Sequence, residues 1–166
     1  MVKYMEKIIK IHINERTDYI NKYNQRILSY DLSNYILEEL KGINTKDKIK
    51  FHITSDFKMS DLEKTNLVDM IRNNFGKDIS EIINLSKKHH IVNLIILLIS
   101  IILIIIYSTL NTEIIAQYTL ILGWVLMEQT ICYFLYKGTN YNHQISRRKQ
   151  IVNAKVIFNE KTINKD

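Results

Sequence analysis

The sequence predicts an α+β membrane protein: a small cytoplasmic α/β domain, of about three strands and two helices, joined to a two-helix transmembrane hairpin. Three observations predict it. Two segments alternate apolar and polar residues, KIIKIHIN over 7–14 and KIKFHITS over 48–55. Residues 91–136 hold no Lys or Arg and only two acids, Glu113 and Glu128. Charge is dense on both sides of that block: residues 1–90 carry 16 basic and 13 acidic side chains, and residues 137–166 carry 7 and 2. The mean hydropathy of -0.10 would suit a soluble protein, but it averages over these unlike parts. A chain of 166 residues suffices for one domain with an appendage. The expected division is a domain over 1–88, a hairpin over 89–138 and a basic tail over 139–166.

In the domain, Ile9, Ile11 and Ile13 fall on one face, as do Ile49, Phe51 and Ile53. That period of two predicts strands buried on one side. The two segments share the pattern K-[IF]-H-I, a faint sign of a repeated β-α unit. Residues 15–29 are polar and aperiodic and predict a long loop. DLSNYILEELKG then predicts a helix stopped at Gly42. Ser60 and Glu63 have capping-box spacing and open a second helix. With no Pro in the chain and Gly76 the only weak point, that helix is expected to run into the first membrane span. In the tail, residues 141–153 continue the second span past the membrane, and AKVIFN predicts a third strand returning to the sheet.

The spans are expected at about residues 91–110 and 114–136. The first, IVNLIILLISIILIIIYSTL, has no charge and no polar face, unlike a helix lying on a soluble core. At 1.5 Å per residue it reaches about 30 Å, the thickness of a bilayer core. The chain is too short to wrap such a helix as a buried core element. Lys87 and Lys88 precede the first span, and Lys137, Arg147, Arg148 and Lys149 follow the second. The turn at Asn111–Glu113 has no base, so the positive-inside rule puts both termini in the cytoplasm. The inner membrane is the expected location, and the N-terminus has no signal-peptide pattern. Cys132 is the single cysteine, so no intrachain disulfide forms.

No phosphate loop, metal-binding helix or nucleophile elbow appears, so an enzyme ranks last and neither cofactor nor metal is expected. His12 and His52 hold equivalent strand positions and are expected side by side, on a solvated sheet face rather than in a metal site. His89 and His90 are expected at the membrane interface.

The polar residues of the spans are sharper candidates. Asn93, Ser100 and Tyr107 share one helical stripe; Gln117 and Glu128 share another, with Trp124 between them. For Asn93 and Ser100, helix packing competes on equal terms with a pore role. Glu128 differs, because a carboxylate near the bilayer centre costs roughly 2.5–3.5 kcal/mol and normally faces water or a partner. Neither span supplies a base, which favours a homo-oligomer. Arg147, Arg148 and Lys149 serve first as positive-inside anchors; the alternatives are contact with anionic membrane lipid or with a nucleotide or oligonucleotide gating ligand.

The order of strand, YDLSNYI helix, second strand, long helix, hairpin and LGWVLM core resembles a bacterial two-helix membrane-protein family. That family carries a Gly-Trp-Val core, an aromatic exit after Leu-Tyr, an Arg-rich stretch and a closing strand. The matching positions are Gly123-Trp124-Val125, Leu135-Tyr136, Arg147-Arg148-Lys149 and Val156–Phe158. The chain departs from it at Glu128 and Thr130, where the family tends to have Trp and Pro. It is similar to membrane effectors of anti-phage defence, the Hailong channel subunit among them. The resemblance implies a cytoplasmic domain that controls ion conduction. The competing expectation is a membrane anchor or scaffold whose domain recruits a cytoplasmic protein partner.

Overall fold

A computed structural model describes residues 6–110 and 112–160. The chain is mixed helix and strand with two long apolar helices, and it divides into two compact units. One comprises 1–80 with 146–166, the other 81–145.

In the first unit, β1 (Glu6–Ile13), β4 (Lys48–Ser55) and β5 (Lys155–Glu160) form a parallel sheet in the order β1-β4-β5. Ile9 pairs with Phe51 and Ile11 with Ile53; Phe51 and Ile53 pair in turn with Val156 and Phe158. The alternation therefore puts one apolar layer on one face, with Ile9, Ile11, Ile13, Phe51 and Ile53 almost fully buried. Helix α1 (Tyr30–Glu39) supplies Leu32 and Ile36, with Leu40 at its C-cap. The start of α2 (Asp61–Tyr107) supplies Leu67, Ile71 and Phe75, four residues apart at each step. Ile151 of α4 (Thr139–Val152) and Ala154 complete the core. The third strand of the sheet, the helix between its first two strands and the continuous α2 are as the sequence indicates.

Both helix starts have local causes. Ser29 Oγ accepts from Leu32 N at 3.3 Å and caps α1. The chain leaves α1 through Gly42, whose φ of +91° is a conformation that side chains disfavour. At α2, Ser60 N donates to Glu63 Oε2 at 2.8 Å and Glu63 N donates to Ser60 Oγ at 3.2 Å, a complete capping box. Arg16 Nε donates to Glu63 Oε1 at 2.7 Å. The Ser60 amide, then the Arg16 side chain, then the Ser60 hydroxyl hold the Glu63 carboxyl down at about 2, from 4.5. A lowered carboxyl pKa contributes stability that is full above the unfolded value and lost as pH falls. Acid titration of the parent by circular dichroism should therefore lose part of its stability between pH 4.5 and about 2, and Glu63→Gln should lack that component.

Two local expectations change. The segment 15–29 is not a plain loop: it forms a short 3-10 turn (Arg16–Asp18) and the antiparallel pair β2 (Ile20–Asn21) and β3 (Asn24–Leu28). Asn21 Oδ1 accepts from Tyr23 N and Asn24 N, which turns the chain. Tyr19 and Leu28 of this region are buried in the core and Ile20 packs against it, so the apolar period is too sparse to see. His12 and His52 are not side by side: the register puts His12 opposite Thr54 and Lys10 opposite His52. His12 Nε2 lies 3.1 Å from Asp56 Oδ2, and Nδ1 lies 3.0 Å from Thr54 Oγ1.

The second apolar helix runs on past its span, from Glu113 to Val152, as the tail residues indicate. It continues without proline but not uniformly, because Tyr133–Gly138 is π-helical between α3 (Glu113–Cys132) and α4. Among the described residues, two helices are long and apolar enough to cross a membrane, Asp61–Tyr107 and Glu113–Val152. Their apolar stretches are only 6% and 17% buried, so the described residues of this chain do not cover either. Asn111, in the expected turn, lies outside the described residues.

Candidate functional site

The polar residues of the apolar helices sort onto two faces. On α2, Asn93 and Ser100 are buried, and both satisfy themselves within the helix. Asn93 Nδ2 donates to His89 O at 2.8 Å and Ser100 Oγ to Leu97 O at 2.7 Å. On α3, the buried residues are Ala116, Gly123 and Thr130, seven apart at each step. Thr130 Oγ1 donates to Leu126 O at 3.0 Å. The two stripes meet at Gly123, where a Cβ would lie 3.0 Å from Ile104 Cγ1 and 3.2 Å from Ser100 O. Small residues let the backbones approach this closely. Ser100 and Gly123 belong to a packing seam, and Asn93 is buried on the same helix as Ser100.

Gln117, Trp124 and Glu128 occupy the other face. At about 100° per residue they stand roughly 100–140° around the helix from the Gly123 stripe. Trp124 is 63% exposed, and Gln117 and Glu128 are exposed as well. Trp124, Met127, Glu128 and Ile131 line a depression of about 310 Å³. Glu128 has no hydrogen bond or ion pair to another protein group among the described residues. The arrangement presents a carboxylate, an amide and an indole on an uncovered apolar flank. That suits water or another polar surface, and it does not suit acyl chains.

A second cluster lies where the π-helical segment begins. The His90 Nδ1 and Tyr133 hydroxyl are 2.7 Å apart, and the His90 ring packs edge-on to Tyr133 and Phe134. His89 stacks on Tyr141 at 6.2 Å between centroids. Sequence reasoning missed this pairing, since nothing in the order of residues links position 90 to position 133.

The tail residues separate. Arg147 donates to Leu40 O at 2.7 Å, satisfying a carbonyl at the end of α1. Arg148 Nε donates to Asp78 Oδ2 at 3.1 Å, in a pair that is mostly shielded on both sides. Lys149 is exposed and lines a cleft of about 610 Å³ with Lys48, Lys50 and Lys155. Among the described residues, no group of three or more His, Cys, Asp or Glu side chains is placed to hold a metal ion. Compared with protein families, curated proteins and solved structures, the chain matches none.

Proposed function

We propose that the chain is an oligomeric integral membrane effector, a gated ion channel controlled by its α/β unit and acting in anti-phage defence. In this reading α2 and α3 cross the inner membrane as a helical hairpin, with both termini cytoplasmic. The observation that carries it is Glu128, exposed on an apolar helix without a basic partner in either span. The insertion cost of roughly 2.5–3.5 kcal/mol is avoided if Glu128 faces water or a second copy. Two helices enclose no conduit alone, so several copies bring their Gln117–Trp124–Glu128 flanks together. Trp124 then forms an apolar constriction that gates by dewetting. Helix α2 runs unbroken from Asp61 to Tyr107, a continuity that supports control of the path by the α/β unit.

The basic flanks at Lys87, Lys88 and Lys137, with no base between them, support this orientation. The test is thiol accessibility in a Cys132→Ser background. Cysteine placed at Thr112 should react with an impermeant thiol reagent added to intact cells or spheroplasts. Cysteine placed at Thr139 should stay protected until the cells are opened. Labelling at Thr139 with protection at Thr112 would reverse the topology.

A further inference from the structure

We infer that the α/β unit holds a binding site for a small polyphosphorylated ligand, in the cleft rimmed by Lys48, Lys50, Lys149 and Lys155. The cleft opens at the amino-terminal ends of the strands, between the chain entering β4 and residues Ser146, Gln150 and Asn153. Its volume of about 610 Å³ falls in the range of small-molecule sites, roughly 300–1,000 Å³.

Charge gives the ligand class. Four lysines line the cleft against two acids, Glu6 and Asp47. Glu6 is engaged by Lys50 at 2.8 Å. Lys48, Lys149 and Lys155 have no ion pair among the described residues. Lys50 and Lys155 are register partners on adjacent strands, and like charges directly opposite one another destabilise a sheet. An anion spanning them removes that penalty. Gln150 makes the wall rigid: its Nε2 donates to Asn44 O at 3.0 Å and to Asp47 O at 2.6 Å. Its Oε1 is buried without a partner, leaving an acceptor for a donor on the ligand.

The surroundings narrow the class further. An all-parallel sheet normally has both faces covered. Here the face opposite the core is exposed at Ile8, Lys10, Lys48 and Lys155, so the cleft opens onto basic, solvent-accessible surface. Among the described residues no aromatic ring lines the cleft, and its lysines make phosphate oxygens the groups it recognises. Ammonium groups suit that task as point charges. A second copy of this surface would bring lysines against lysines, which disfavours self-association through it. Phospholipid headgroups offer the same chemistry, but a free ligand is the occupant proposed.

The probe is inorganic tripolyphosphate, titrated calorimetrically into the full chain in detergent. Binding is expected, weakening as salt rises. Lys149→Glu and Lys155→Glu should each reduce affinity about tenfold, the scale of one lost charge-assisted contact. Lys58→Glu, an exposed change beyond the other end of β4, should leave affinity unaltered. Thermal melts that match the parent will show that the variants are folded. Absence of binding would overturn the proposal, as would equal loss from Lys58→Glu. So would an interaction seen only when phosphatidylglycerol is mixed into the micelles, which would give these lysines to lipid. None of these results depends on conduction, so the site can fail while the channel reading stands, and the reverse.

Discussion

Glu128→Gln is expected to reduce conductance or cation selectivity severalfold in reconstituted membranes, and Trp124→Ala to leave the path open without a trigger. The first change keeps the side-chain shape and removes the charge. If Glu128 sits in the conduit, its carboxylate raises the local concentration of cations, and the amide cannot. The second change removes a large apolar side chain that is 63% exposed on the same flank. If Trp124 forms the proposed constriction, losing the indole lets water fill it and removes the dewetting barrier. Single-channel recording at matched protein density reads both effects. If both variants assemble and conduct as the parent does, Glu128 does not line the conduit and the flank is not the path.

Substitution in the packing seam should act on stability before conduction. Gly123→Ala puts a methyl group 3.0 Å from Ile104 Cγ1 and 3.2 Å from Ser100 O. The second neighbour is backbone and cannot turn aside, so the helices must separate. Overpacking of this kind costs about 1–3 kcal/mol. Gly76→Ala is the opposite case. Its Cβ meets nothing within 4 Å, and the residue lies inside α2. Replacing a helix-interior glycine by alanine stabilises by about 0.5–1 kcal/mol. The two glycines should thus shift the thermal midpoint of the detergent-solubilised protein in opposite directions. A neutral or stabilising Gly123→Ala would show that α2 and α3 do not meet at this point.

Much of the α/β unit is legible because its signals are local. The period of two in β1 and β4 directly gives their buried faces, and Ser60 with Glu63 gives the start of α2. The closing strand is readable from Val156 and Phe158 alone. What stays hidden is set by distant partners. Parallel register, which puts His12 against Thr54, depends on where β4 enters the sheet and leaves no mark near either residue. Arg147 resembles a membrane anchor in sequence, yet it donates to a carbonyl 107 positions away. The π-helical turn at Tyr133–Gly138 has neither Pro nor a glycine inside it until its last residue, so composition gives no warning. Of the candidate polar set, burial divides what helical angle alone left together: Asn93 and Ser100 are covered, and Gln117, Trp124 and Glu128 are not.

Conduction is the central claim, and a membrane-potential dye in expressing cells tests it most directly. Overproduced or triggered parent protein should depolarise the cells, while Glu128→Gln at equal membrane abundance should depolarise them less. Cells that hold their potential under every trigger, with the parent protein present in the membrane, would contradict the channel and leave an anchor that recruits a cytoplasmic partner.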